Sequence, residues 1–258
     1  MGRCKEIIVK VIPAKVANPF VRAHHYSGKV VNNSQLHFGA FLDGKLHGVM
    51  SFGPSMDKRK VIHLVEGTGF NEFIELNRMA FDDYLPRNAE SYCIGYALRQ
   101  IKKQAPHIKW VISFADGTQC GDGTIYRASN FVLTGINPNK TIILMPDGSA
   151  VAGLTLDLQL PSTKARYDRM CNLDPTKRWH RADYVRGGGK LMQGYMLRYI
   201  YFLDKRCKDK LTVPIIPFSK IDEMGAGMYK GQIITQQERH IECDAQKERL
   251  TDGKETDN

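Results

Sequence analysis

The stretch from Phe73 to Gly135 decides the fold. It contains, in order, FIELNRMAF (73–81), YCIGYALRQIKKQA (92–105), KWVISFAD (109–116), GTIYRASNF (123–131) and VLTG (132–135). These segments predict a strand, a helix, a strand, a short helix and the start of another strand. Helical spacing in the second segment is carried by Ile94, Leu98, Ile101 and Ala105. The nearly all-apolar run 110–115 predicts a strand buried on both faces, as in parallel sheets, so the stretch is a β-α-β unit.

Further strands are predicted on both sides of this unit. KEIIVKVI (5–12) is typical of a first strand, and residues 13–26 fit a helix that Pro19 would delay or split. Residues 35–53 predict a hairpin that turns at Asp43-Gly44. Shorter strands are predicted at KVIHLV (60–65), 132–136, 141–145 and 195–203. The fold class is therefore α/β, with a mixed central sheet flanked by helices.

The length of 258 residues fits one domain over 1–235, with a basic part from about residue 161 and a charged tail, 236–258, predicted to be disordered. No run of about 18 apolar residues and no signal-peptide core is present, so we expect neither a membrane span nor secretion. Six scattered cysteines without a C-x-x-C pair favour reduced thiols in a cytoplasm.

The formal net charge of +10 is concentrated in one quarter of the chain. Residues 161–220 hold 14 Lys and Arg against 5 Asp and Glu, a balance of +9. Such asymmetry favours a polyanion as partner, although a solvated basic surface would show the same composition. Aromatic residues alternate with the cations, which suits phosphate contacts and base stacking. The DNA-binding candidates are Lys164, Arg166, Tyr167, Arg169, Arg178, Trp179 and Arg181.

Three groups of polar residues are candidates for chemistry. HHYS places His24, His25, Tyr26 and Ser27 at the end of the predicted first helix, where histidines either stabilise the helix terminus or transfer protons. Asp116 ends the buried strand and precedes glycines, the position where α/β sheets often place sites, and also a common capping position. Tyr126 lies in the short helix, where plain packing is the alternative.

Glu75 and Arg78 lie on the central strand and are candidates for lining a pocket or pairing with each other. Their odd spacing predicts that they point to opposite faces. A metal is a further candidate, held by His24 or His25 with Asp116, and by His37, His47 or Glu75.

Five motifs together resemble one family. HHYSG (24–28), ELNRMAFDD (75–83), LPRNAES (85–91), SFAD (113–116) and GTIYRASNF (123–131) are similar to the Mom DNA-modification proteins of Mu-like phages. The resemblance covers roughly residues 20–205 and implies a GNAT-like (acyl-CoA N-acyltransferase-like) fold. It also implies that a carbamoylmethyl group is added to N6 of adenine in double-stranded DNA, which protects phage DNA from host restriction in the host cytoplasm.

The resemblance implies a site as well. Tyr126 would be the general acid, and Asp116 or a histidine of HHYS would accept a proton. An acyl-CoA-like or other small-molecule donor would lie at the start of the helix after the central strand, and iron or another transition metal is an open candidate. The donor-binding candidates are Arg87, Asn88, Ser91, Ser113 and Asn130. The usual glycines of a CoA-binding loop are replaced by Glu90 and Tyr92, which disfavours a pyrophosphate.

Two other functions remain open at this point. A conventional GNAT N-acetyltransferase would use acetyl-CoA on a protein or small-molecule amine without needing DNA. A non-enzymatic DNA-binding protein would bind DNA in a salt-sensitive way and form no product. The chemistry separates these alternatives, because acetyl transfer yields an amide, whereas a carbamoylmethyl group is attached through its CH2 carbon.

Overall fold

Two parallel strands, β4 (Phe73–Phe81) and β5 (Trp110–Asp116), lie at the centre of a seven-stranded sheet. The strand order is β1 (Ile8–Val11), β2 (Leu36–Leu42), β3 (Lys45–Gly53), β4, β5, β10 (Gly194–Phe202) and β6 (Val132–Asn139). The computed structural model describes residues 3–118, 121–229 and 232–233. The predicted disorder of the tail lies outside these residues. The parallel pairing and the mixed sheet confirm the predicted fold class.

The chain forms two compact units. The first consists of Met1–Ala115, Gly123–Gly135 and Leu197–Pro217, and the second of Asp116–Asp122, Ile136–Met196 and Phe218–Asn258. The prediction of one domain over 1–235 stays a prediction beside this division. Within the described residues, no helix is both long and apolar enough to cross a membrane.

The first unit contains most of the large sheet and the helices around it. Its elements are β1 (Ile8–Val11), α1 (Ala14–His24), β2 (Leu36–Leu42), β3 (Lys45–Gly53), α2 (Lys58–Val61), β4, α3 (Ala89–Gln104), β5, α4 (Thr124–Ala128), the first half of β6 (Val132–Asn139) and most of β10 (Gly194–Phe202). The hairpin turns at Asp43 and Gly44, both at positive φ, as predicted. Pro19 lies inside α1 without splitting it.

The second unit contains short elements. They are β7 (Ile142–Leu144), β8 (Ala150–Ala152), α5 (Gly153–Asp157), α6 (Pro161–Met170), α7 (Arg181–Arg186), β9 (Lys190–Leu191), α8 (Ser219–Glu223), β11 (Met228–Tyr229) and β12 (Gln232–Ile233). Strands β7, β8 and β9 form a small sheet of order β8-β7-β9. The core of this unit packs Ile143, Val151, Leu156 and Tyr184 together.

One local prediction, a strand, was wrong, and one helix was predicted to be too long. KVIHLV forms α2 and a 3-10 turn (Ile62–Leu64) instead of a strand, because Val61, Leu64 and Val65 bury themselves at helical spacing. The short helix predicted to run to residue 131 ends at Ala128, since Asn130 adopts a φ of 63° that a helix cannot continue through.

The core of the first unit is organised around Trp110. Its ring is fully buried and stacks on Phe73, with ring centroids 4.4 Å apart and planes 5° from parallel. The two residues are Cα partners in the parallel ladder between β4 and β5. This stack therefore fixes the register of the two strands just before they separate.

Replacing Trp110 by Ala is expected to lower the free energy of unfolding by about 3–5 kcal/mol, because a large cavity opens between packed strands. Phe70→Ala is the control: its ring is 59% exposed and lies under the Lys58 ammonium, so about 1 kcal/mol or less is expected. Urea unfolding followed by circular dichroism measures both. Equal losses in the two variants would contradict the central role of the Trp110 stack.

Candidate functional site

The site begins where β4 and β5 part. Their parallel pairing covers only Phe73–Trp110, Ile74–Val111 and Glu75–Ile112, although both strands continue. Just beyond the last pair, the buried Ser113 hydroxyl lies 3.1 Å from the carbonyl oxygen of Leu76. Ser113 thus bridges the two strands at the point of separation, and the backbone beyond it is released from the ladder.

Tyr126 reaches the same point from α4. Its hydroxyl lies 2.8 Å from Ser113 Oγ, and its ring stacks on Tyr199 at 5.1 Å between centroids. Gly123 permits this approach: it begins α4 at a φ of 72°, and a Cβ there would lie 2.6 Å from the Tyr199 ring. The structure therefore places Tyr126 and Ser113, both predicted site residues, in direct contact.

A β-bulge in β4 brings Glu75 and Arg78 to one face. Ser51 pairs with Arg78 and Gly53 with Glu75, which leaves Asn77 as the extra residue. Ser51 and Gly53 are two residues apart and share a face, so their partners do too. The prediction of opposite faces was therefore wrong, because it assumed an uninterrupted strand.

The shared face is the one that α1 covers. Val49, on the same side of β3 as Ser51, packs with Ala17 and Val21 of α1. Arg78 donates from Nε to the Lys29 carbonyl at 2.9 Å and from Nη1 to the Asn77 carbonyl at 2.7 Å. The end of α1, the following loop and the central strand thus meet at one guanidinium.

Burial controls the ionisation of this group. It lowers the pKa of Arg78, opposed by the nearby Tyr26, Glu75 and Tyr126. Burial also raises the pKa of Glu75, although Ser55, Asn77 and the Met56 N–H interact with the carboxylate and the Arg78 charge attracts it. Ser55 and Asn77 were not predicted as site residues. A bulge leaves no signal in the residue pattern that could have revealed them.

The two histidines of HHYS have different surroundings. His24 is exposed on the last turn of α1 and stacks on Phe20 at 4.2 Å, a structural contact within the helix. His25 is half-buried, and burial followed by the Arg78 charge lowers its pKa to about 4. Its Nδ1 accepts from the Ser27 backbone N–H at 3.1 Å and lies 2.8 Å from Ser27 Oγ.

These contacts define the state of His25. A backbone N–H can only donate, so Nδ1 is the acceptor and the neutral ring carries its proton on Nε2. His25 near neutral pH is therefore a hydrogen-bond donor through Nε2. Tyr26 is 52% exposed, and its ring lies 4.3 Å from the His25 ring.

The predicted donor-binding residues divide into two places. Arg87, Asn88 and Ser91 lie at the start of α3, where Asn88 occupies the N-cap position at a φ of 66° without a capping side-chain bond. The Arg87 side chain is exposed, and its carbonyl accepts from Cys4 Sγ at 3.1 Å. Asn130 is exposed at the turn after α4, whereas Ser113 lies at the strand separation.

Asp116 is the last residue of β5 and belongs to the second unit. It is buried, and its carboxylate accepts from the Thr118 N–H at 3.1 Å.

Within residues 3–118, 121–229 and 232–233, no group of three or more His, Cys, Asp or Glu side chains could hold a metal ion. Two other proposed ligands each contact one further side chain. His37 Nδ1 lies 2.8 Å from Ser51 Oγ, and His47 Nδ1 lies 2.8 Å from Asp82 Oδ2. The described residues therefore do not fit an iron or other transition-metal centre.

The predicted DNA-binding residues lie mostly in and after α6. Three of the cations pair with acids of their own unit: Lys164 with Asp168, Arg166 with Asp147 and Arg181 with Asp157. Arg169 donates to the Ala165 carbonyl at 3.0 Å. Arg178 is exposed and forms no ion pair within the described chain.

The two aromatic residues of this segment pack inwards. Tyr167 and Trp179 lie partly buried against the core of the second unit, and Trp179 Nε1 donates to the Asp174 carbonyl at 2.7 Å. Packing thus accounts for much of their surface, and the exposed cations are the better candidates for contacts with a polyanion.

A separate cavity of about 330 Å³ opens in the first unit beside the end of α3. Its walls are mainly apolar, with Phe52, Phe73, Ile74 and Ile101 among them. None of the predicted site residues lines it, so the polar group at the strand separation remains the candidate active site.

The mixed sheet, with a polar group where two central parallel strands separate, defines an α/β protein with a candidate site at the opening of its sheet. The chain belongs to the Mom protein family, whose model matches residues 6–220. It is 34% identical over 212 residues to a protein of Escherichia phage Mu named Methylcarbamoylase mom, which covers 82% of this chain and 81% of that relative. The resemblance found in the five motifs is thereby confirmed.

Solved structures show a looser likeness. An N-acetyltransferase from Staphylococcus aureus Mu50 has a TM-score of 0.43 at 10% identity, covering 76% of this chain and 98% of that one. A GNAT family acetyltransferase from Elizabethkingia anophelis with acetyl-CoA bound has a TM-score of 0.42 at 11% identity, covering 76% and 98%. These values carry no conclusion about substrate or donor.

His25 is expected to titrate with a pKa of about 4, with Nε2 protonated above that pH. NMR of the labelled imidazole nitrogens measures both properties. Arg78→Gln should raise this pKa, because it removes the repelling charge and leaves burial unchanged. The unfolded chain binds this proton more tightly, so stability present above pH 6.5 should be lost as the pH falls towards 4. A titration near pH 6.5 in the folded protein would contradict the described surroundings of His25.

Proposed function

We propose that this chain is a transferase that attaches a carbamoylmethyl group to N6 of adenine in double-stranded DNA. The observation that carries the proposal is the 34% identity, over four fifths of both chains, to the methylcarbamoylase of phage Mu. The modified DNA would be that of a Mu-like phage, protected from restriction in the host cytoplasm. The polar group around Arg78, Glu75 and Tyr126 would supply the chemistry.

The reaction requires more than contact between two reactants. The N6 lone pair of adenine is delocalised into the ring, which makes the amine a poor nucleophile. The base must therefore leave the stack and be held against an activated donor. Positioning of that kind can supply roughly 7–11 kcal/mol of the barrier. The amine then attacks the CH2 carbon of the donor, the bond to the leaving group breaks, and the amine loses a proton.

The residues divide these tasks according to their surroundings. Tyr126, in contact with Ser113, would give its proton to the leaving group. Neutral His25 would orient a substrate oxygen or ring nitrogen by donating from Nε2, which makes it a poor proton acceptor. Asp116 remains the proposed proton acceptor. Arg87, Asn88 and Ser91 at the start of α3 would hold an acyl-CoA-like or other small-molecule donor.

Mass spectrometry of nucleosides from bacteria that express the protein tests the reaction. We expect a deoxyadenosine derivative with the mass of the carbamoylmethyl adduct, lost in Tyr126→Phe and Asp116→Ala. Both variants should remain folded by circular dichroism. Soluble wild-type protein that leaves deoxyadenosine unmodified in a host of Mu-like phages would overturn the proposal. An adduct with the mass of acetyl would show a conventional acetyltransferase instead.

DNA contact by the second unit makes a separate prediction. Arg178→Glu should weaken DNA binding at every sequence and reduce the slope of log K against log salt by about 1, because one phosphate contact is lost. Lys45→Glu, which changes another exposed cation in the first unit by the same charge, is the matched control. Fluorescence anisotropy with a labelled duplex at several salt concentrations measures both. Equal losses in both variants would indicate only a general charge effect.

A further inference from the structure

Asn77, the bulge residue of β4, has an amide nitrogen without a well-aligned partner. The side chain is 6% exposed, and its Oδ1 lies 3.1 Å from the Ser34 hydroxyl. Its Nδ2 is buried and meets no full hydrogen bond within the described part of the chain. A buried donor left unsatisfied destabilises the fold.

The nearest acceptor explains the direction of this amide. Nδ2 faces the Glu75 carboxylate closely enough to lower its pKa, but without hydrogen-bond geometry. The Ser34 hydroxyl can donate or accept, so it is the carboxylate that turns Nδ2 towards itself. Glu75 in turn is held by the Ser55 hydroxyl and the Met56 N–H. An acceptor and a donor are thereby presented side by side.

The backbone next to this pair is closely packed. Glu75 is the Cα partner of Gly53, which has no side chain. A Cβ at Gly53 would lie 2.4 Å from the Asn33 carbonyl oxygen and 2.9 Å from Asn77 Oδ1. Asn33 also has a buried Oδ1 without a partner among the described residues, which adds a second unused acceptor next to the first pair.

We propose that Glu75 and Asn77 bind a primary carboxamide, the –CO–NH2 end of the transferred group. Glu75 would accept from the amide N–H, and Asn77 Nδ2 would donate to the amide carbonyl. The inference rests on the proposed carbamoylmethyl transfer and assigns the residues that select that group. An acetyl group offers no N–H to Glu75, and a carboxylate offers a repelling charge instead.

Arg78 supports this selectivity for a neutral amide. Burial raises the pKa of Glu75, and the Ser55 hydroxyl, the Met56 N–H and the Arg78 charge oppose that rise. These three groups favour the ionised carboxylate, which accepts but cannot donate. The titratable groups that interact with Arg78 are Glu75, His25, Tyr26 and Tyr126. A neutral primary amide leaves the charge balance of this group unchanged on binding, whereas an anionic ligand would not.

Saturation-transfer NMR with acetamide tests the site without the donor. Acetamide should bind the full chain saturably, while acetate and N,N-dimethylacetamide, which lack the N–H group, should bind at least about tenfold more weakly. Asn77→Leu and the near-isosteric Asn77→Asp should lose acetamide binding. Asn71→Leu, an exposed asparagine of the same unit, should retain it. Two substitutions at position 77 keep the test valid if one of them fails to fold.

Modification in cells gives the second readout. Glu75→Leu removes the acceptor and Asn77→Asp removes the donor, so each should reduce the carbamoylmethyl adduct at least about tenfold, whereas Asn71→Leu should retain it. Equal binding of acetamide and N,N-dimethylacetamide, or full modification by Asn77→Asp, would overturn the inference. So would a folded Glu75→Leu variant that is inactive but still binds acetamide, since that assigns Glu75 a role other than holding the amide. Unmodified DNA with the wild type instead rejects the transferase function, and the two failures are thus distinct.

Discussion

One extra residue in the central strand is the constraint on which the site depends. The bulge at Asn77 reverses the alternation of β4, so that Glu75 and Arg78 share the face that α1 covers. Each of these side chains is costly to bury alone, and each lowers the cost for the other. The bulge also lies just beyond the last residue pair of β4 and β5. The same irregularity thus groups the charges and coincides with the opening between the strands.

The second unit shows the opposite use of charge. Asp168 is fully buried, pairs with Lys164 and accepts from the Tyr184 hydroxyl at 2.7 Å. Burial and this carboxylate raise the pKa of Tyr184 to about 12, which keeps its proton in place. A basic segment of sequence therefore contains two populations of cations: those that pair with acids of their own unit and those, such as Arg178, that form no ion pair within the described residues. The amino-acid composition of the segment does not distinguish these two populations of cations.

Much of the fold could be predicted because it follows from local patterns. Alternation and the Asp43-Gly44 turn defined the hairpin, and helical spacing defined α3. The site was predicted less completely. Tyr126 and Ser113 were identified separately, but their contact depends on packing against Tyr199, far along the chain. Ser55 and Asn77 were missed, and His24 and His25 could not be separated, because a bulge and the end of a helix are set by tertiary contacts rather than by spacing.

The crowding at Gly53 has a consequence for comparing relatives. A side chain at this position would collide with the Asn33 carbonyl and with the amide of Asn77, so the arrangement beside Glu75 requires glycine there. Positions 53, 75 and 77 therefore form a three-residue signature that spans two strands and can be read in any aligned sequence. A larger residue at position 53 of a family member should therefore displace the Asn33 carbonyl or the Asn77 amide and change the shape of the polar group around Glu75.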